Sequence, residues 1–175
     1  MEEWFPVVDE TGRTTGKATR RACHGGTKLL HPVVHLHVFN SAGELYLQKR
    51  PAHKDIQPGK WDTAVGGHVD FGETVDDALR REALEELGLT DFRPLFVERY
   101  VFESEIEKEL VNTFITVCNG LLRPHPVELD GGRFWTVSEM AMQLDKNRFT
   151  PNLENEFRRF GETGIFNRCL SSLRP

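Results

Sequence analysis

Cysteine is scarce in this 175-residue chain: Cys23, Cys118 and Cys169 are odd in number, widely scattered and form no CxxC pair. That excludes a disulfide framework and a thiolate zinc site, and it points to reduced thiols in a cytoplasmic protein. Long apolar runs are missing too, and none approaches the ~18 residues a membrane span needs. The N-terminus, MEEWFPVVDE, is acidic and has no apolar core, so no signal peptide is visible. Basic runs never exceed two residues and the net charge is −5, which argues against nucleic acid as the main partner. Any contact with phosphate must come from local basic residues. No repeat, low-complexity segment or long linker interrupts the chain, and its length fits one domain over 1–175. No feature separates a monomer from a homodimer.

Periodicity and turn chemistry place the elements. Val7 to Lys17 reads as two short strands around Asp9-Glu10-Thr11-Gly12. Pro32 to Phe39 is a strand rich in Val, followed by a turn at Asn40-Ser41-Ala42-Gly43 and an alternating partner from Glu44 to Lys49. Thr63-Ala64-Val65 is a short strand. Phe92 to Phe102 and Leu110 to Cys118 are two more, joined by an acidic turn from Glu103 to Glu109, and Gly132 to Thr136 is the last. Ser138 is expected to cap a helix through Leu144, and Pro151 to open a final helix to about Phe160. Strands before, between and after helices imply an α/β layer structure with a mixed sheet.

The segment GHVDFGETVDDALRREALEELGL, Gly67 to Leu89, carries the chemistry. Thr74 reads as a helix N-cap with Asp77 three positions on, and Gly88 as a left-handed C-terminal cap. At about 100° per residue, Leu79, Ala83, Leu84 and Leu87 share one side, and Glu82, Glu85 and Glu86 share a ~100° arc of another. Carboxylates at i, i+3 and i, i+4 repel one another, and a bound divalent cation reverses that sign. Hard oxygen ligands in such a cluster suit Mg²⁺ or Mn²⁺ against phosphate oxygens. The bland alternative is a solvated, charge-rich helix face, and Gly67 and Glu73 at fixed spacings upstream weigh against it.

Gly67, five residues, Glu73, seven residues, then Arg81-Glu82-Ala83-x-Glu85-Glu86-x-Gly88-Leu89 resembles the motif of the MutT-like Nudix hydrolases. The departure is Ala83, where a larger aliphatic is usual. The resemblance implies an α/β/α sandwich and metal-dependent cleavage of a diphosphate linked to another group, with a small-molecule substrate. It implies that Glu82, Glu85, Glu86 and the Gly67 carbonyl hold Mg²⁺ or Mn²⁺. Arg81 would orient a motif glutamate, Glu73 would support the loop, and the base would be Glu82 or, on a later loop, Glu109. The attached group would be read by loops around Lys28-Leu29-Leu30, Glu103 to Lys108 and Arg148 to Asn152. A non-catalytic nucleotide-sensing module is the rival expected to show a broken carboxylate cluster, and this cluster is complete.

From Val7 to Phe157 the chain is also similar to the Nudix branch that includes the type I isopentenyl-diphosphate isomerases. That likeness implies a second metal set at His24, His31 and His68, with Glu107 and Glu109 as acidic partners. It implies diphosphate contacts at Arg50 and Lys54 and an active-site tryptophan at Trp135, whose plainer reading is a core aromatic. His35, His37, His53 and His125 read as ordinary polar or surface residues, although His35-x-His37 on a strand puts both on one face. The isomerases carry a Cys-Gly-His thiol; here the sequence is Gly66-Gly67-His68, and the motif glutamates are intact. An isomerase needs a proton donor and acceptor at carbon, whereas a hydrolase needs a metal cluster at the diphosphate. The second set is present and the first is broken.

Overall fold

The computed structural model describes residues 2–54 and 56–173. Its centre is β3 (Leu30–Phe39), every residue of which is buried. Strand β3 pairs in parallel with β8 (Lys108–Val117) and antiparallel with β4 (Leu45–Lys49) and β6 (Val65–His68). Outside these lie β5 (Trp61–Thr63) and β9 (Gly132–Trp135) on β4, and β7 (Leu95–Glu103) on β8. The sheet is therefore mixed, as expected, with seven strands among the described residues. A separate hairpin, β1 (Trp4–Val8) and β2 (Thr14–Thr19), leads into one turn of helix, α1 (Arg20–Cys23).

Alternation along β3 sorts the two faces. Val34, Leu36 and Val38 pack against Leu79, Ala83 and Leu87 of the motif helix α2 (Val75–Leu87). On the opposite face Phe39, Leu45, Leu47 and Ile115 meet Met140 of α3 (Val137–Gln143), Leu153 and Phe160 of α4 (Pro151–Glu162) and Phe166 of α5 (Ile165–Leu173). The layers are α/β/α. Thr74 caps α2 by accepting from the Asp77 amide at 3.1 Å, and Gly88 closes it at φ 63°.

Several expectations shift. Leu84 is exposed, so the apolar side of α2 is Ala78, Leu79, Ala83 and Leu87. The cap of α3 is Thr136 rather than Ser138, because Thr136 and Glu139 complete a reciprocal capping box. The strand expected over Thr63-Ala64-Val65 is two strands broken at Ala64. Helices α1 and α5 are additional to those expected. Among the described residues no helix is long and apolar enough to cross a membrane.

Candidate active site

Strand β6 lies at the sheet edge and carries a glycine pair, of which Gly67 lets α2 close on it. A Cβ on Gly67 would overlap the Glu82 carboxyl group, so only glycine permits this approach. Beside it the Gly66 amide donates to Glu86 Oε2 at 3.1 Å, and Gln48 Nε2 donates to the same oxygen at 3.1 Å. Arg81 knits the loop to the helix. Its Nε and Nη2 donate to Glu73 at 2.9 and 2.8 Å, its Nη1 to Glu82 at 2.7 Å and Glu85 at 3.3 Å, and its Nη2 to the His68 carbonyl at 2.9 Å. The orienting role expected of Arg81 and the supporting role of Glu73 both have contacts to act through.

The three glutamates are not equivalent. Glu82 and Glu86 line a cavity of about 880 Å³, whereas Glu85 is exposed and held outward against Arg81. Burial pushes the Glu86 carboxyl up to about 8, with Glu82 nearby adding to the shift. Burial likewise raises Glu82, against the opposing pull of Arg81. From β8, Glu109 enters the same cavity; burial and then Glu107 push it up to about 7, and its hydrogen-bond partner is Asn152 Nδ2 at 3.3 Å. The protein supplies Glu86 and Glu109 with no cationic partner within salt-bridge reach among the described residues. Buried carboxylates left in this state suit a cation from solution.

A second donor set adjoins the first. His24, His31 and His68 each offer a ring nitrogen, and the three atoms lie within 4.8 Å of one another. His31 Nδ1 donates to the Leu29 carbonyl at 2.8 Å, which leaves its buried Nε2 as an unpartnered lone pair. His24 Nδ1 lies 2.7 Å from Glu107 Oε2, and its Nε2 faces His68 Nε2 at 3.1 Å. Burial lowers His31 and holds His68 well below the usual histidine range, favouring the neutral rings that a metal takes. Phe5 stacks on His31 and His68 and closes the back of the set. The turn between β7 and β8 is narrower than expected, and both Glu107 and Glu109 are buried.

The remaining candidates divide. Arg50 lines the cavity, but it donates to Asp62 Oδ2 at 3.1 Å and to the Ile56 carbonyl at 3.2 and 2.9 Å, so it also pins the loop after β4. Lys54 lines the cavity and pairs with Glu128 at 2.8 Å. Arg20, which sequence reading passed over, joins them at the wall. Trp135 does not reach the cavity: it is buried on the α4 side against Trp61 and Phe149, which supports the core reading and corrects the expectation of a substrate contact. Of the three loops expected to read the substrate, residues 104–107 and 150–152 line the cavity and Lys28-Leu29-Leu30 does not. His35 and His37 are neither surface residues nor idle; both are buried and bonded to Glu156.

Comparison with known proteins agrees with this fold. The NUDIX domain family model matches residues 29–153. An uncharacterized Nudix hydrolase of Yersinia pestis is 30% identical over 150 residues, covering 86% of this chain and 81% of that protein. An isopentenyl-diphosphate Delta-isomerase of Mycolicibacterium vanbaalenii is 34% identical over 128 residues, covering 70% and 71%. Among solved structures, DR0079 from Deinococcus radiodurans superposes with a TM-score of 0.74 at 25% identity, covering 90% of this chain and 98% of that one.

Proposed function

The chain belongs to the Nudix family and is a pyrophosphohydrolase of that family, and on this premise we propose that it cleaves the diphosphate linkage of a nucleoside diphosphate derivative or related organic diphosphate with Mg²⁺ or Mn²⁺. The observation that carries the reading is the meeting of Glu82, Glu86 and Glu109 around one cavity with two of their carboxyls unpaired. The Gly67 carbonyl, Glu82 and Glu86 would hold the ion, with Glu85 at the rim and Glu109 opposite. When bound, it would neutralise charge on the diphosphate and raise the acidity of the attacking water. His24, His31 and His68 form a donor set fit for a second ion, with the Glu107 carboxylate against His24.

The chain's own residues do the rest. Arg81 fixes Glu82 and Glu73 so that the loop backbone and the carboxylates keep one geometry. Of the two candidate bases, Glu109 is the freer, because its partner is the neutral Asn152 amide, whereas Glu82 is tied to the Arg81 guanidinium. A base near its own pKa at neutral pH accepts the water proton with little penalty. Lys54 and Arg50 supply positive charge at the wall for the diphosphate. The cavity volume suits a ligand larger than pyrophosphate alone. Unpaired thiols at Cys23, Cys118 and Cys169 fit a reducing, cytoplasmic compartment.

Isomerase relatives make isopentenyl diphosphate isomerisation the specific rival. Gly66 has no side chain where the thiol would stand. Cys23 is buried among Phe5 and Ala18, and neither it nor the other cysteines line the cavity. A panel of nucleoside- and sugar-linked diphosphates, scored for product with Mg²⁺ and with EDTA, tests the reading. Metal-dependent hydrolysis of a panel member is expected, with no conversion of isopentenyl to dimethylallyl diphosphate. Isomerase turnover that vanishes in Cys23→Ala would reverse the assignment.

A further inference from the structure

Behind the cavity floor lies a buried polar cluster that no part of the proposed reaction uses. Glu156, on α4, is fully buried. It accepts from His35 Nδ1 at 3.1 Å, His37 Nε2 at 2.6 Å, the Tyr100 hydroxyl at 2.8 Å and the Thr113 hydroxyl at 2.7 Å. Four donors on one carboxylate come from three strands, so the cluster is assembled by the sheet rather than by chance contact. Three of the four donors are enclosed in the core. His35 alone lines the cavity.

The geometry sets what His35 presents there. Its Nδ1 is committed to Glu156, and among the described residues no hydrogen bond engages Nε2. His35 pairs across the sheet with Gly66, and a Cβ on Gly66 would lie 3.7 Å from His35 Cδ2 and 3.9 Å from Nε2. The missing side chain therefore leaves that edge of the ring open. Burial works against a charged ring, and the Glu156 carboxylate more than offsets it, holding His35 at about 9. Asp62 and Glu109 act on it from the cavity side, and His37 and Tyr100 share its anchor. A cationic donor is a poor metal ligand and a good partner for a phosphoryl oxygen.

We propose that His35, anchored through Nδ1 by Glu156 and open to the cavity through Nε2 beside Gly66, is a substrate-contacting residue that donates a hydrogen bond to the diphosphate. Glu156 is its positioning residue. The proposal rests on the hydrolase reading for the identity of the ligand, but its test does not need turnover.

Inorganic pyrophosphate is the probe, titrated by calorimetry into the Mg²⁺-containing protein. His35→Phe removes the donor, and pyrophosphate affinity should fall at least ~10-fold, the scale of one lost charge-assisted hydrogen bond. Because His35→Phe could disturb the core, Gly66→Val provides the second arm: it leaves the Glu156 cluster intact, covers the open ring edge and should weaken binding similarly. Histidine-ring NMR gives the readout for positioning. Pyrophosphate should move the His35 resonances in the parent protein and not in Gly66→Val, and Glu156→Gln should bring the His35 titration to lower pH. Unchanged affinity in folded Gly66→Val and His35→Phe, or a parent protein that does not bind pyrophosphate, would overturn the proposal. Pyrophosphate binding that depends on His35 in a protein that hydrolyses nothing on the panel would retain this inference and remove the hydrolase reading.

Discussion

Two sets of buried carboxylates lie on opposite sides of one sheet edge, and the protein treats them in opposite ways. Glu156 receives four hydrogen bonds, including two from imidazoles, and burial is outweighed so that its carboxyl is held well below the usual range. Glu86, half-buried at the cavity wall, receives only a backbone amide and a neutral amide side chain and is pushed up to about 8. A carboxylate satisfied by its own chain is a structural element that aims its neighbours. One that the chain leaves without a cation is reserved for something that arrives later.

Removing the satisfied partner should have the largest effect. Glu156→Ala strands two imidazoles, a phenol and a hydroxyl in the core, so a loss of ~3–5 kcal/mol of stability is expected, the range for breaking a buried pair. Urea unfolding reads it directly. A loss under ~1 kcal/mol would mean that the cluster is hydrated and that the contrast with Glu86 is false.

Glu86→Gln should behave in reverse, costing activity rather than fold. It keeps the shape and removes one charge from the cavity, so kcat on a panel substrate should fall ~100-fold, about 2.7 kcal/mol, the scale of one lost electrostatic stabiliser. Without metal the variant should be at least as stable as the parent, because the raised Glu86 carboxyl must take up a proton on folding at neutral pH and the amide need not. Glu85→Gln, outside the cavity lining, should cost less than Glu86→Gln. Equal losses in the two would restore the three glutamates to equivalence.

How much of this contrast was readable in the sequence depends on distance along the chain. The motif helix is local: Thr74, Gly88 and the apolar spacing of Leu79, Ala83 and Leu87 fix its ends and its buried side within a few turns. Gly67 was legible as a motif position, and the reason for it, the closeness of Glu82, needed the fold. The Glu156 cluster draws residues from positions 35, 37, 100, 113 and 156, and no periodicity links them. Each alone looks like a surface polar residue. The clue was that His35 and His37 sit in a strand whose neighbours are all apolar, where a polar side chain must find a partner. Trp135 shows the opposite case, since the isomerase likeness implies a ligand contact while its side chain packs on the α4 side of the core.

Metal should separate the two sets thermally, by a smaller amount. An ion bound by the native state alone at tenfold excess over its Kd contributes ~1.4 kcal/mol, or ~3–6 °C in a chain of this length. Mg²⁺ or Mn²⁺ should raise the midpoint in this way and EDTA should abolish the rise. Glu86→Gln should blunt it. A midpoint indifferent to all three additions would leave the unpaired carboxylates without their proposed cation.

The smallest effect is the pH slope of stability, and here the two regions have opposite signs. Glu156 is depressed in the folded state, so its contribution is present above the unfolded value near 4.5 and is lost as pH falls below it. Glu86 and Glu109 are raised, to about 8 and about 7, so their contribution is full below that value and declines as pH rises through these folded values. His35 adds nothing to the slope between pH 5 and 6, where it stays protonated whether folded or not, and its own loss begins above its ordinary 6.5 and ends near 9. His31 and His68, lowered in the folded state, act the other way over the same range, so the test is a difference. From pH 5 to 6 the metal-free parent should lose stability relative to Glu86→Gln by on the order of 1 kcal/mol per pH unit. Glu109 contributes a similar slope in both proteins and cancels from that difference. Mg²⁺ should reverse it, since the ion binds the ionised carboxyls that burial alone disfavours. Urea midpoints at three pH values, with and without Mg²⁺, are enough to decide. Parallel metal-free lines for parent and variant would show Glu86 already paired, and the distinction between the two carboxylates would collapse.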